Sequence, residues 1–244
     1  MQQQLLSLRR RQLCLAAAAC VGPHAFAQPA ASGYETVPRS ADGIGKAFMG
    51  REIAGVMGWQ GAAWLEREER ERQERSDLLL RELRLAPGMQ VADVGAGTGY
   101  HARRIARLVA PGGTVQAVDV QPQMLEQLQA RARREGVDNI VPVLASERDA
   151  RLAPASLDLA LLVDVYHELE YPVEVMAGVV RALRPGGRVV LVEYRAEDPA
   201  VPIKSLHKMS EAQIRREMAV HPLVHERTAN VLPWQHIVVF VRRD

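Results

Sequence analysis

Short apolar runs alternate with segments of helical periodicity from Gln90 to the end of the chain. The apolar runs predict strands over 91–96, 114–120, 140–145, 157–166 and 188–195. The runs 140–145 and 157–166 are continuous in apolar character, which indicates strands buried on both faces and therefore a parallel sheet. The segments between them predict helices over 101–109, 122–135 and 173–183, and a further helix that begins at Ser210 with a capping-box Gln213.

The last two apolar runs, 225–232 and 235–243, are separated only by Pro233-Trp234. So short a link joins antiparallel strands, because a parallel pair needs a long crossover connection. The pattern predicts a three-layer α/β fold with an open, seven-stranded, mostly parallel sheet and an antiparallel C-terminal strand.

The residues before Leu78 have a different composition from the rest. Residues 28–47 are rich in Ala, Ser, Gly and Pro and predict a mobile arm, and residues 48–65 contain four glycines and predict a hinged cap. Residues 66–77, EREERERQERSD, predict a solvent-exposed helix with i,i+4 Glu–Arg pairs, a docking surface being the alternative. The predicted domains are therefore a cap region over 28–77 and a main domain over 78–244.

Residues 1–27 have the pattern of a signal peptide. A basic start is followed by the apolar run 13–21 and by the small-x-small site Ala25-Phe26-Ala27. The Arg10-Arg11 pair resembles part of a twin-arginine signal. The apolar run is too short for a permanent span, so the sequence predicts export to the periplasm without stable membrane insertion, a cytoplasmic location being the alternative.

The charge and the cysteine content of the chain argue against several kinds of partner and site. Three of the 31 basic residues are arginines of the leader. The rest of the chain has 28 basic and 29 acidic residues. A nearly neutral body without a basic cluster argues against nucleic-acid binding. Both cysteines, Cys14 and Cys20, lie in the leader, so the rest of the chain has no thiol for disulfides or metal ligation. The histidines show no ligand spacing along the chain, and we expect no metal site.

The stretch 93–99, DVGAGTG, forms the turn after the first predicted strand of the main domain. A phosphate-binding loop would continue with Lys and Ser or Thr, and a dinucleotide turn would have its third glycine at position 100, where Tyr100 stands. Asp93 is unfavourable beside a pyrophosphate but favourable beside an ammonium group. Asp119, 24 residues after Gly95, is placed to accept hydrogen bonds from ribose hydroxyls. An amine and a ribose without a pyrophosphate indicate S-adenosyl-L-methionine.

Four motifs in this order resemble those of class I S-adenosylmethionine-dependent methyltransferases. They are D-x-G-x-G-x-G at 93–99, AVDVQPQML around Asp119, LDLALLVDVYHEL at 157–169 and RALRPGGRVVLVE at 181–193. The resemblance covers about residues 78–244. The stretches GREIAGVMGWQGAAWLER and LVEYRAEDPAVPIKSLHKMSEAQIRREM also resemble an uncharacterised bacterial subgroup that often carries export signals.

The resemblance implies a Rossmann-like class I methyltransferase fold and a set of cofactor contacts. Asp93 would hold the amino group, Asp119 the ribose and Val120 the adenine, while Asp164 would lie near the methyl end. The adenine would be capped by Asp149 followed by Ala150, or alternatively by Glu147. The turn of Gly95, Gly97, Thr98 and Gly99 would lie against the methionine part.

The candidates for catalysis stand at the predicted strand ends: Tyr166, His167, Glu168, Glu193, Tyr194, Arg195 and His207. His167 suits a general base by its ordinary pKa, although a structural hydrogen bond is an equal alternative. In the cap, Arg51, Glu52 and Trp64 would contact the substrate or simply pack on the sheet edge.

The leading hypothesis is a methyltransferase that acts on a small-molecule acceptor. The alternative is an exported protein that binds S-adenosylmethionine or a related nucleoside without turnover, because the cofactor is made in the cytoplasm. A third reading, a nicotinamide-dependent oxidoreductase, is disfavoured by Asp93 and Tyr100. The sequence indicates neither the methylated atom nor the oligomeric state.

Overall fold

The computed structural model describes residues 33–243. Two β-sheets form within this range, a small antiparallel sheet and a large mixed sheet. The strands are β1 (Tyr34–Thr36), β2 (Gly43–Phe48), β3 (Arg51–Ala54), β4 (Gln90–Val94), β5 (Thr114–Asp119), β6 (Ile140–Leu144), β7 (Leu157–Val163), β8 (Leu183–Arg195), β9 (Lys208–Met209), β10 (Leu223–Ala229) and β11 (Gln235–Arg242). The helices are α1 (Ala62–Leu65), α2 (Arg70–Glu74), α3 (Ser76–Glu82), α4 (Tyr100–Val109), α5 (Pro122–Arg134), α6 (Pro172–Ala182) and α7 (Glu211–Met218).

The large sheet has the strand order β10-β11-β8-β7-β4-β5-β6, and the two-residue strand β9 pairs with β8 outside this path. Strands β4 to β8 pair in parallel, whereas β11 runs antiparallel to both β8 and β10. The α/β class, the mostly parallel sheet and the antiparallel C-terminal strand are confirmed. The strand order reverses between β4 and β7, where sheets of this kind bind their ligands beyond the carboxyl ends of the strands.

Apolar side chains fill both faces of this sheet. In β7, Leu159 and Leu161 pack into one core cluster while Ala160 and Leu162 pack into the other. Helix α6 contributes to the second cluster and helix α4 to the first. The continuous apolar run of β7 therefore has the cause predicted for it, namely burial on both faces of a parallel sheet. The same prediction is wrong for the run 140–145, because β6 is the edge strand of the sheet and leaves Val141 50% and Leu144 44% exposed.

Some element ends differ from the sequence expectation. Strand β7 ends at Val163 instead of 166, and Tyr166 lies in a 3-10 turn over Tyr166–Glu168. The capping of α7 is confirmed, because the backbone N–H of Gln213 donates to Ser210 Oγ at 3.1 Å. None of the helices within residues 33–243 is long and apolar enough to cross a membrane.

The segment before the main domain folds differently from the prediction of an arm and a glycine-hinged cap. Strands β1 to β3 form an antiparallel sheet that buries Phe48 and Ile53. The predicted leader, 1–27, and the first residues of the predicted arm, 28–32, lie outside the described residues.

The charged run 66–77 is not the solvent-exposed helix that its composition predicts. It breaks at Arg75, which has a positive φ of 52°, into the short helices α2 and α3. Arg70 and Glu74 are buried and pair with each other, Arg70 Nε lying 2.8 Å from Glu74 Oε2. Glu66 pairs with Arg103 instead of Arg70, at 2.8 Å. Two charged residues of the run, Arg70 and Glu74, are thus buried, while Glu68, Glu69, Arg72 and Arg75 are exposed as predicted.

Candidate functional site

A cavity of about 660 Å³ opens at the carboxyl ends of β4, β5, β7 and β8, under residues of the N-terminal segment. Ten of the predicted cofactor-binding and catalytic residues line it: Asp93, Gly95, Gly97, Asp119, Val120, Asp164, His167, Glu168, Tyr194 and His207. The N-terminal segment contributes Met57, Trp64 and Leu65. A volume of this size is within the range of sites for small molecules and cofactors.

The glycine turn is held against the end of β5 by hydrogen bonds. Gly97 N donates to Asp119 Oδ2 at 2.8 Å, and Gly95 N donates to the carbonyl oxygen of Val118 at 2.8 Å. Both glycines have positive φ values, 75° at Gly95 and 53° at Gly97. A Cβ at Gly95 would lie 2.4 Å from the side chain of Val165, so glycine is required by packing as well as by backbone conformation.

Asp119 borders the cavity with its carboxylate already oriented. Besides Gly97, it accepts a hydrogen bond from Gln121 N at 2.9 Å, and burial raises its pKa above the ordinary value. A carboxylate has about four acceptor positions, so two remain for ribose hydroxyls.

Asp93 lies at the end of β4 with an oxygen that lacks a partner. Within the described residues, its Oδ2 is buried without a hydrogen bond, an arrangement that is unfavourable unless a ligand supplies a donor. Burial raises the pKa of Asp93 to about 7, assisted by the nearby Asp119 and opposed by Arg70. An ammonium group of a bound cofactor fits this position, because it brings both hydrogen-bond donors and positive charge.

Beyond Asp93 the cavity wall is a buried polar network that sequence reasoning missed. Arg70 Nη2 lies 3.3 Å from His101 Nε2, and Tyr194 OH donates to Glu74 Oε1 at 3.2 Å. Burial, then the positive charge of Arg70, lowers the pKa of His101 well below its ordinary value, so this imidazole is neutral. No signal in the charged run distinguished Arg70 and Glu74 from their exposed neighbours.

Asp164 joins this network from the end of β7. Its Oδ2 accepts a hydrogen bond from Gln235 Nε2 at 3.1 Å, whereas Oδ1 has no partner among residues 33–243. Burial, followed by repulsion from Glu74 and Glu193, raises its pKa well above the ordinary value. The unpartnered Oδ1 of Asp164, at the lining of the cavity, can thus bind a polar group of a ligand.

Six of the predicted cofactor-binding and catalytic residues do not line the cavity: Thr98, Gly99, Asp149, Tyr166, Glu193 and Arg195. Thr98 is buried and donates from Oγ1 to Glu66 at 2.6 Å. Asp149 is exposed and accepts from Arg151 N at 2.8 Å, while its neighbours Glu147 and Ala150 line the cavity instead. The alternative of Glu147 as the capping acid is the one that the structure brings to the site.

Glu193 and Tyr166 lie behind the cavity wall. Glu193 is fully buried, with Oε2 at 2.5 Å from His167 Nδ1 and Oε1 accepting from Tyr166 N at 2.9 Å. Because an ionised carboxylate only accepts hydrogen bonds, the pairing with Glu193 assigns the proton of a neutral His167 to Nδ1 and makes Nε2 an acceptor. The His167 Nε2 atom lies 3.1 Å from His207 Nδ1, next to Glu168.

The cap residues singled out in the sequence have three different roles. Arg51 binds Glu217 through Nε and Nη2, at 2.8 and 3.0 Å, and donates from Nη1 to the carbonyl oxygen of His167 at 3.0 Å. Glu52 accepts from Ser40 N and Gly45 N within its own segment. Trp64 is half exposed at the rim of the cavity.

Comparison with known proteins agrees with this arrangement. Residues 91–187 match a family model described as a methyltransferase domain. The chain is 31% identical over 105 residues to a protein-L-isoaspartate O-methyltransferase of Methanopyrus kandleri, covering 43% of this chain and 44% of that protein. It is 33% identical over 112 residues to a demethylmenaquinone methyltransferase of Tropheryma whipplei, covering 46% and 44%. The matched segment spans between a third and about half of the length of such curated relatives.

The fold comparison reaches further along the chain. A SAM-dependent methyltransferase from Aquifex aeolicus superposes with a TM-score of 0.72 at 20% identity, over 76% of this chain and 99% of that one. The fold is thus the Rossmann-like methyltransferase fold, and the matches together support the class I methyltransferase superfamily for this chain. They imply S-adenosyl-L-methionine as the cofactor and do not favour the non-catalytic alternative.

The raised pKa of Asp93 predicts that cofactor affinity depends on pH. Below pH 7 the free protein holds a proton on Asp93, and this proton must leave before the carboxylate can pair with the cofactor's ammonium group. Between pH 8 and pH 6 we expect the affinity for S-adenosylmethionine to fall about tenfold, as measured by isothermal titration calorimetry.

Two controls isolate this effect. The affinity for 5′-methylthioadenosine, which lacks the amino acid part, should change little over the same pH range, and Asp93→Asn should abolish the pH dependence for S-adenosylmethionine. An equal slope for both ligands, or an unchanged slope in the variant, would contradict the assignment of the ammonium group to Asp93.

Proposed function

We propose that this chain transfers the methyl group of S-adenosylmethionine to a small-molecule acceptor. The observation that supports this most is a single cavity with Asp93 and Asp119 among its lining residues as well as His167 and Tyr194. A cofactor held at the two aspartates and an acceptor beside His167 would therefore share one enclosed space. The names of the two relatives contain different acceptors and therefore indicate no common acceptor class. The lining of the cavity is the evidence for the acceptor class.

The residues of the chain have three tasks in this proposal. When bound, S-adenosylmethionine supplies an electrophilic methyl group, so the protein has to orient the reactants and exclude water. Asp93 and Asp119 hold the two ends of the cofactor, and the segment from Met57 to Leu65 covers the cavity. His167, fixed in one tautomer by Glu193, is the group that activates the acceptor.

The proposal of a small acceptor rests on the shape of the site. Apolar side chains of the N-terminal segment and of the loop after β8 line the cavity opposite the sheet: Ile44, Val56, Met57, Pro202 and Ile203. Such a lining suits an acceptor with an apolar body and excludes bulk water. The near-neutral charge of the chain without its leader gives no support to a nucleic-acid acceptor.

Export to the periplasm remains a prediction from residues 1–27 and forms part of this proposal.

The experiment measures binding and transfer separately. The purified chain is titrated with S-adenosylmethionine, and is then incubated with the methyl-labelled cofactor and a bacterial extract divided into low-mass, protein and nucleic-acid fractions. We expect a dissociation constant of about 10 μM or lower and label in the low-mass fraction. An absence of cofactor binding would overturn the proposed activity, and label confined to protein or nucleic acid would overturn the small acceptor.

A further inference from the structure

Three side chains with metal-ligating atoms converge at the His167 end of the cavity. Among the described residues, His167, Glu168 and His207 form a group whose ligand atoms all lie within 4.8 Å of one another. We propose that they bind a divalent transition-metal ion of the zinc class. The linear spacing of the histidines predicts no metal site, because the fold and not the local sequence brings residue 207 to residue 167.

The distances between the three ligand atoms suit one ion. His167 Nε2 lies 3.1 Å from His207 Nδ1, and Glu168 Oε1 lies 3.8 Å from His167 Nε2 and 3.4 Å from His207 Nδ1. Ligand atoms bound at about 2.0–2.1 Å to a tetrahedral zinc ion are about 3.3 Å apart. The three atoms are thus separated as the corners of one face of a coordination tetrahedron are.

The protonation of His167 also suits a ligand. Its Nδ1–H is directed at the fully buried Glu193, 2.5 Å away, which leaves the Nε2 lone pair toward the other two residues. A carboxylate that fixes the tautomer and raises the basicity of an imidazole is the usual partner of a metal-bound histidine. Glu193 would thereby be a positioning residue of the metal site, in addition to accepting the hydrogen bond from Tyr166 N.

The remaining ligands are held from other parts of the chain. Glu168 Oε2 accepts a hydrogen bond from Met57 N at 3.3 Å, so the N-terminal segment orients this carboxylate. His207 ends the 3-10 turn Ser205–His207, and its ring packs edge-on against that of His167 with centroids 5.0 Å apart. Two imidazoles and one carboxylate favour Zn²⁺, Fe²⁺ or Co²⁺ over Mg²⁺ or Ca²⁺, which prefer oxygen ligands throughout.

The metal site lies in the cavity where methyl transfer is proposed to occur, and the role given to the ion here rests on that proposed function. All three ligands also line the cavity, and three protein ligands leave at least one coordination position of a four-coordinate ion for another molecule. The acceptor would then be a small molecule with a hydroxyl or thiol group that occupies this position. The ion held by His167, Glu168 and His207 would lower the pKa of the bound hydroxyl or thiol, whose proton would leave to solvent. The oxygen or sulfur would then form a bond to the methyl carbon as the bond from that carbon to the sulfonium breaks, and S-adenosylhomocysteine would be the leaving group.

Metal binding is tested without cofactor or acceptor, so that its failure and the failure of the methyltransferase proposal are distinguishable. The full chain carrying Cys14→Ser and Cys20→Ser is stripped with a chelator and titrated calorimetrically with ZnCl₂, and with CoCl₂ while the visible absorption is followed. We expect one equivalent of Zn²⁺ to bind with a micromolar or lower dissociation constant, and no binding of MgCl₂ under the same conditions.

Variants assign the binding to the three side chains. His207→Ala, at a half-buried position, should weaken zinc binding by about 100-fold or more, and Glu193→Gln by about 10- to 100-fold through the loss of His167 orientation. His225→Ala is the matched control, because His225 bonds to Thr228 and not to this group, and should leave the affinity unchanged. Absence of stoichiometric zinc binding, or binding that His207→Ala does not weaken, would overturn the proposal.

Discussion

Replacing Asp119 with Ala is expected to weaken S-adenosylmethionine binding by about 100-fold. The carboxylate holds Gly97 N and Gln121 N, at 2.8 and 2.9 Å, and its remaining acceptor positions are the proposed partners of the ribose hydroxyls. Two charge-assisted hydrogen bonds of about 1.5 kcal/mol each amount to about a 100-fold change in the dissociation constant. Calorimetric titration of the variant with S-adenosylmethionine measures the loss.

The matched control is Asp149→Ala, the same substitution in the acid that the sequence motif assigned to the adenine. Asp149 is exposed and does not line the cavity, so this variant should bind the cofactor within about twofold of the wild type. Circular dichroism establishes that both variants are folded. If Asp149→Ala weakened S-adenosylmethionine binding as much as Asp119→Ala, the cofactor would not be bound with its ribose at Asp119.

The sheet was predictable because its signals are local. A strand buried on both faces needs a continuous apolar run whatever its neighbours are, and the runs in β7 and in the second half of β8 are of this kind. Asp93 and Asp119 were predictable for the same reason. Asp119 is the last residue of β5 and Asp93 the residue before the last of β4, so their position at the edge where ligands bind follows from the strand boundaries.

The structure of residues 34–77 could not be predicted from their own sequence, because it depends on contacts with residues far away in the chain. Arg70 and Glu74 have the same composition around them as the exposed charges of the run, but Tyr194 and His101 receive them in the interior. Thr98 and Asp149 show a second limit. A motif gives the position of a residue on the backbone, whereas the direction of its side chain depends on hydrogen bonds, here to Glu66 and to Arg151 N.

Arg51 connects the N-terminal segment to the site. Its guanidinium donates to both carboxylate oxygens of Glu217 in α7 and to the backbone oxygen of His167, within a distance of 3.0 Å in each case. The Glu217 side chain is fully buried and that of Arg51 is 10% exposed. A single charge pair thus joins β3, α7 and the loop that carries His167 and Glu168.

Replacing Arg51 with Met is therefore expected to lower the free energy of unfolding by about 3 kcal/mol, because it leaves the buried carboxylate of Glu217 without its cation. Urea denaturation measures the change. The double variant Arg51→Met/Glu217→Leu should regain most of the lost stability, since an apolar pair of similar size replaces the ion pair without an unpaired charge. If the single variant is as stable as the wild type, or the double variant is no more stable than the single one, then the ion pair does not hold the segment in place. Arg51 pairs with Glu217 and also donates a hydrogen bond to the backbone of His167. The double variant lacks this hydrogen bond even where folding is restored. Zinc titration of the double variant therefore measures what the hydrogen bond contributes to zinc binding, separately from stability.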